Sequence, residues 1–550
     1  VVSEIKMLPE REEFLTVGWD GAISVWDLSS GLIKSKNRME RSLHTVVYDD
    51  TRNLILAAGD GRQIFLLNSS DLSLIDKLSG HQSAIVSLQL NESAGLLVSN
   101  SLDGITKIWD LDKRKEFFEH LHIGKKDWMV KTNSGYFNAT EGARSVIHFV
   151  KGNETYAADQ FFNSFYRPDL IPDLFSVRGG SSKRESLLDK LDKFPPPEVK
   201  LAIQPNEENT RVLLYLKSLE KGGGYGTLKL FHNGKRVETD IIEKNTTKSG
   251  QNERLTKIEL PLIGGKNVFG VVAVSKAGME SPLVEKEVFS NQKIPSATCY
   301  LLAIGINDYQ NNNLDLNYAR SDAEAFAKAL MQDEKQLFNE TKVRSLYDEM
   351  ATRDNILSAL DEIANQATIN DVFIFYYAGH GSVTNGKFFF IPTETSRLFD
   401  INNLEKTALS ALVLQEKFKK VKALKQVIIM DACQSGKSAE LLAQRGSVEE
   451  KAIAQLSRSA GIHVLASAGS EQFASEFKEL EHGLFTYVLL EAMKGAADGS
   501  PREGKVTLFE LKSYLDDQVP EMSMRYKGKP QYPYTFSRGN DFPLKVITQE

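Results

Sequence analysis

Up to about Ala297 the apolar positions recur mostly in twos, the period of a half-buried strand; beyond it, apolar runs alternate with stretches that repeat every three to four residues. In the first part, three segments share one pattern. Phe14 to Leu28, Leu54 to Asn68 and Leu96 to Leu111 each read as strand, Asp-Gly turn, strand. Their anchors Trp26, Leu67 and Trp109 stand 41 and 42 residues apart, the spacing of four-stranded propeller blades, and Gly80-His81 sits where such a blade places its Gly-His pair. Closure needs more blades than three, so the pattern predicts an incomplete propeller over 1–165, completed from upstream or by another polypeptide.

From Asp127 to about Phe165, short strand-like runs between Gly and Asn turns predict an extra blade or closing strands. Gly179-Gly-Ser-Ser-Lys-Arg184 and Phe194-Pro-Pro-Pro197 mark 166–196 as a linker. Alternating runs such as Val212-Leu-Leu-Tyr-Leu216 and Val268-Phe-Gly-Val-Val-Ala-Val274, with a turn at Asn233-Gly234, predict an immunoglobulin-like sandwich over 197–292, acting as spacer or support. Over 297–550 apolar strands bounded by amphipathic helices predict a mostly parallel sheet with helices on both faces, an α/β domain whose chemistry lies at the carboxyl ends of its strands.

Composition narrows the classes. The 550 residues exceed one core and fit three or four domains. A net charge of −6 gives no reason to expect nucleic acid or an anionic membrane as partner. No apolar run reaches membrane-spanning length, and the start, Val-Val-Ser-Glu, shows no signal peptide but hints at a truncated or processed N-terminus. Two cysteines, Cys299 and Cys433, make no disulfide framework and fit a reducing, cytoplasmic setting. A phosphate-binding loop of the Gly-x-x-x-x-Gly-Lys-Ser/Thr kind is absent.

Two strand ends carry reactive groups. Val372-Phe-Ile-Phe-Tyr-Tyr377 runs into Ala378-Gly-His-Gly381, and Val427-Ile-Ile-Met430 runs into Asp431-Ala-Cys-Gln-Ser-Gly436. In a parallel sheet both ends emerge on one edge, so His380 and Cys433 can form a dyad, and the flanking glycines leave backbone N–H groups for an oxyanion. Singly, each residue has a plainer reading: a buried thiol, a core histidine, or, for Asp322 and Asp431, helix caps. For Cys299, early in a buried strand, the plain reading holds.

The Trp-Asp dipeptides and the blade period resemble the WD-repeat family. His380 lies 53 positions before Cys433, close to the spacing in the caspase signature, and residues from about Ala297 onward resemble a caspase-fold peptidase. Tyr376-Tyr-Ala-Gly-His-Gly381 with Asp431-Ala-Cys-Gln-Ser-Gly436 is similar to the metacaspase, paracaspase and bacterial orthocaspase branch, and the whole order resembles bacterial WD-repeat caspase-like proteins. The resemblance implies a thioester mechanism with His380 and Cys433, an oxyanion held by the N–H groups of Gly381 and Cys433, and an acidic pocket built from Asp431, from Asp322 in Tyr318-Ala-Arg-Ser-Asp322, and from Glu471. Where caspases carry Gln, this chain carries Asp431, which implies cleavage after Arg, then Lys, in a protein substrate. The segment 437–460 holds autocleavage sites in relatives, and Lys437, Arg445, Lys451 and Arg458 suit the pocket; the plain alternative is a solvated amphipathic helix. No cofactor is required by the sequence, and calcium enters only through the resemblance, as do cell death and antiphage defence. The propeller is expected to recruit substrate, to sense a trigger, or to bind an upstream propeller fragment or an activating protein. The competing class is a latent or non-catalytic binding scaffold.

Overall fold

The structure, a computed structural model, describes residues 1–176, 185–239, 243–246, 253–332, 337–434, 439–467, 476–477 and 480–547; at 433–434 and 439–448, among others, it describes the backbone alone. The chain forms two compact units, Val1–Tyr166 with Ser182–Lys190, and Arg167–Ser181 with Leu191–Glu550.

The first unit is built of antiparallel sheets. Two have four strands, Val2–Leu8 to Ile33–Arg38 and Leu43–Asp49 to Leu74–Ser79. The third begins at Ile85–Asn91 and runs to six strands, because Asp127–Lys131 and Phe137–Ala139, read in the sequence as an extra blade or closing strands, add to its edge. After them the chain turns to the helix Glu141–Val146, a small two-stranded hairpin and a helical turn; the two helical elements depart from the strand-like reading of this stretch. Successive side chains point to opposite faces of a strand, and the middle sheet is apolar on both, so each face meets one neighbouring sheet: Leu15, Val46 and Ile55 join the first pair, and Leu56, Ile85 and Trp109 the second. In the third sheet Trp109 Nε1 donates to Ser99 Oγ at 2.8 Å, and His81 Nε2 lies 2.8 Å from the same hydroxyl. His81 is thus a buried tie within the repeat.

The predicted linker contains two helices, Leu170–Ser176 and Leu187–Lys193, among its described residues. The sandwich has two antiparallel sheets of four strands around a core that includes Leu201, Val212, Leu214, Phe269 and Val271. It is welded to the α/β domain. Its Asn233-Gly234 turn meets Gly461 and Gly539 so closely that a Cβ on Gly234 would lie 2.1 Å from Gly539 Cα, and one on Gly461 would lie 2.2 Å from Gly234 O. Beside the turn, Lys235 is buried and its ammonium donates to Phe418 O at 3.2 Å; desolvation pulls its pKa down to about 7.

The α/β domain strings together β1 (Thr298–Gly305), α1 (Ala319–Met331), β2 (Glu340–Tyr347), α2 (Arg353–Gln366), β3 (Val372–Thr384), β4 (Lys387–Phe390), α3 (Ala411–Lys420), β5 (Lys425–Gln434), α4 (Ala439–Ala460), β6 (His463–Ala466), α5 (Leu484–Glu491), α6 (Leu508–Lys527) and β7 (Tyr534–Phe536). The sheet order is β2-β1-β3-β5-β6-β7, parallel except for β7. Central strands β1, β3 and β5 are apolar on both faces, as a sheet covered twice requires. Between β4 and β5 the chain forms two helices, Ile401–Thr407 and α3, joined through a short strand at Leu409–Ser410. One departure from the sequence reading bears on the site: β3 and β5 do not end before the glycine-flanked motifs but run through them, since the β4 hairpin pairs back onto β3 at Gly381.

Candidate active site

His380 and Cys433 are register partners on adjacent parallel strands β3 and β5, between the pairs Gly379 with Ala432 and Gly381 with Gln434. The backbone therefore brings the two motifs side by side. The Cys433 side chain lies outside the described residues, as does that of Arg445, while Glu471 and Lys437 lie outside them altogether.

His380 is 4% exposed and fixed on every side. Its Nε2 lies 2.7 Å from Leu314 O, an acceptor only, so Nε2 carries a proton. Its amide donates to Tyr309 Oη at 2.9 Å, and the Tyr309 ring lies 5.1 Å from the imidazole. Tyr377 Oη donates to the His380 carbonyl at 2.7 Å. Both peptide groups of His380 thus end on tyrosine hydroxyls. The flanking glycines are explained by space more than by free N–H groups: a Cβ on Gly379 would sit 2.9 Å from Tyr309 Oη and 3.0 Å from Tyr377 Oη, and one on Gly381 would sit 2.8 Å from the Phe388 ring.

Asp322 falls in the apolar stripe of α1, with Ala319, Ala323, Phe326 and Leu330 at helical spacing, so the helix carries it inward to 3% exposure. It does not cap its own helix, whose N-cap is Tyr318. Asp431, near the end of β5, is 6% exposed and accepts from Thr486 N at 3.2 Å and from Thr486 Oγ1 at 2.8 Å. Because the Thr486 proton goes to Asp431, the Tyr376 hydroxyl, 2.7 Å away, donates to Thr486 in turn. Asp322 Oδ2 accepts the N–H of Gly483 at 3.1 Å, and Oδ1 lies 2.6 Å from His482 Nδ1.

Both carboxylates therefore meet at the amino end of α5, whose N-cap Gly483 offers no side chain. The helix's first N–H groups and its positive end favour anions there. Asp431 is likewise no N-cap residue; it accepts from the first turn of a helix some fifty residues on, beyond the reach of sequence spacing. Burial, opposed by His482 and reinforced by the Asp431 charge, pushes the Asp322 carboxyl up to about 7. Tyr376, fully buried, is raised well above the usual phenol range, first by burial and then by Asp322 and Asp431.

The other expectations fall out as follows. Cys299 is fully buried, and burial pushes its thiol far up, in keeping with a core residue. The stretch after the nucleophile contains the long helix α4, but its end is not solvated: Glu449 and Ser457 are buried, and Arg458 Nη2 bonds Glu280 Oε2 of the sandwich at 2.8 Å. Lys451 is largely buried near Arg167 and Asp169, and burial lowers its pKa. Among the described residues no group of three His, Cys, Asp or Glu is placed to hold a metal ion. Sequence reasoning missed Tyr309, His482, Gly483 and Thr486 as site residues; no local pattern marks them, since each reaches the site from a loop or helix start distant in sequence.

Residues 298–541 match the caspase domain family, Peptidase_C14, and residues 72–110 match the WD domain, G-beta repeat family. At family level the first match supports a caspase-like cysteine peptidase, and the second supports a role in protein interaction. Curated proteins similar to this chain include U3 small nucleolar RNA-associated protein 21 homolog of Schizosaccharomyces pombe, 26% identical over 18% of this chain and 11% of that protein. Another is DENN domain and WD repeat-containing protein SCD1 of Arabidopsis thaliana, 26% identical over 20% of this chain and 9% of that protein. The chain thus spans about a tenth of the length of these relatives. Among solved structures it is similar to the RRP9 WD40 repeats, with 12% identity over 25% of this chain and 46% of that chain and a TM-score of 0.21.

Proposed function

We propose that the chain is a cysteine endopeptidase of the metacaspase and orthocaspase branch, cleaving protein substrates after Arg and then Lys in the cytoplasm. The observation that carries this reading is the register pairing of His380 with Cys433 across β3 and β5, with Asp431 on the same strand as Cys433. The Cys433 thiolate adds to the scissile carbonyl; the C–N bond breaks as the departing amine takes a proton from the His380 imidazolium; water then cleaves the thioester and returns the thiol. With Nε2 committed to Leu314 O, Nδ1 is the nitrogen that exchanges the proton. The N–H groups of Gly381 and Cys433 hold the oxyanion, each contributing about 3 kcal/mol. Asp322 and Asp431 form the pocket that pairs with a guanidinium, with Glu471 as a third wall. In this reading the sandwich is immunoglobulin-like, supported by its strands lying, in chain order, as 1-2-6-5 and 4-3-7-8, and is a buttress of the peptidase domain. The repeats recruit substrate or sense a trigger.

A second reading, a latent scaffold, is favoured by one observation: His380, Asp322 and Asp431 are all nearly closed off from solvent and already engaged. A fluorogenic peptide ending in Arg separates the two. Turnover lost in Cys433→Ala supports the peptidase; silence of the wild type across calcium, pH and a trypsin nick supports the scaffold.

A further inference from the structure

The acidic pair has a neighbour that neither the motifs nor the family match assigns. We propose that His482 is a specificity-determining residue, whose imidazole holds the Asp322 carboxyl as an anion facing Asp431 and so gives the pocket the charge a substrate guanidinium requires. The inference rests on the basic-pocket reading above and names the group that sustains it.

Among the described residues, the hydrogen bonds to the Asp322 carboxyl come from one short segment: the His482 ring at 2.6 Å and the Gly483 N–H at 3.1 Å. The segment is built to lie there. Gly483 has φ −60° and ψ 141°, a conformation open to any residue, so its glycine is not demanded by the backbone. It is demanded by room: a Cβ would stand 2.7 Å from Asp431 Oδ2 and 3.0 Å from Asp322 Oδ2. With no side chain at 483, the chain runs directly against both carboxylates and delivers the imidazole to the first. The His482 side chain keeps 24% exposure against 4% for Asp322, so it is the more open of the two to solvent.

Two buried carboxylates cannot both stay ionised without help. Among the described residues, the titratable groups facing Asp322 are Asp431 from β5 and Tyr376 from β3, neither of them cationic, and His482 itself. Burial and Asp431 favour the neutral acid, while His482 and the Gly483 amide favour the anion. Without the imidazole, Asp322 keeps its proton at neutral pH and the pocket loses one of two charges. The sign follows directly: Asp322 ionises as pH rises through its raised pKa, so binding of basic substrates improves with rising pH, and loss of His482 moves that improvement to higher pH.

The test compares wild type, His482→Ala, His482→Gln and Asp322→Asn on an Arg-ending peptide from pH 6 to 9, with iodoacetamide alkylation of the thiol as a check on the fold. His482→Ala is expected to raise KM about tenfold at pH 7 with kcat within about twofold, and to shift the pH profile of KM upward. His482→Gln, which keeps an N–H donor, is expected to recover most of the loss, and Asp322→Asn to flatten the pH dependence of KM. Unchanged KM in His482→Ala across the range, or a lower KM, which would make the imidazole a plug, overturns the inference. A readout free of turnover is the pH at which the stabilisation by Asp322→Asn levels off, which follows the folded pKa of Asp322; it should move upward in the His482→Ala background, and an unmoved levelling-off point also overturns the inference. Wild type that alkylates but never cleaves after Arg defeats the functional reading, while that stability readout still decides the role of His482.

Discussion

Glu280 links the sandwich to the end of the helix that follows the nucleophile, and replacing it with Gln tests whether the two are one mechanical unit. Glu280 is 3% exposed and bonds Lys229 Nζ at 2.6 Å and Arg458 Nη2 at 2.8 Å. Burial works against the carboxylate, yet Arg458 and Lys229 outweigh it and hold the pKa below the ordinary range. Gln keeps the shape and removes the charge, leaving two cations desolvated together. Breaking such a buried pair from one side costs about 3–5 kcal/mol, a large share of the 5–15 kcal/mol that typically separates folded from unfolded chains. Urea unfolding of wild type and Glu280→Gln measures it, and an Arg458→Met, Glu280→Gln double variant is expected to lose less than the two single losses added, because it no longer strands the Arg458 charge. A loss of under about 0.5 kcal/mol in Glu280→Gln would refute the reasoning, since that is what a solvent-screened surface pair contributes.

Four further outcomes are expected. Tyr309→Phe keeps the ring against His380 but orphans a buried N–H, at about 1–3 kcal/mol; kcat should fall about tenfold or more with KM little changed, and a shift in KM alone would mean that Tyr309 serves substrate binding. Asp431→Ala should abolish cleavage after Arg while the thiol stays alkylatable, and undiminished Arg cleavage would show that the pocket lies elsewhere. Because the Asp322 pKa is raised in the folded state to about 7, the native protein binds the proton more tightly than the unfolded chain, so this group's contribution declines as pH rises from about 4 to 7; Asp322→Asn should therefore gain stability over wild type at pH 8 that it lacks at pH 4, as read by thermal unfolding. On incubation, wild type but not Cys433→Ala should yield new N-termini after Lys437 or Arg445, ahead of Lys451, which is largely buried, and Arg458, which is ion-paired within a helix; cutting in both proteins, or in neither, would sink self-processing.

The amino-acid sequence by itself determined what depends on neighbours along the chain. Period-two runs with Asp-Gly turns fixed the sheets of the first unit, and apolar strands alternating with amphipathic helices fixed the α/β domain. The two glycine-flanked motifs named His380 and Cys433, because strand ends in a parallel sheet share an edge. Tertiary structure decided whatever depends on partners distant in sequence. Asp322 meets His482 160 positions away, and Asp431 accepts from the first turn of a helix that starts more than fifty positions on. No spacing rule reaches that far, because the sheet order, not the chain, sets the distance. Register also outran local pattern: β3 and β5 continue through their motifs because the β4 hairpin extends the ladder. Volume, too, was settled by the fold, since Gly379 leaves room for two tyrosine hydroxyls and Gly483 for two carboxylates.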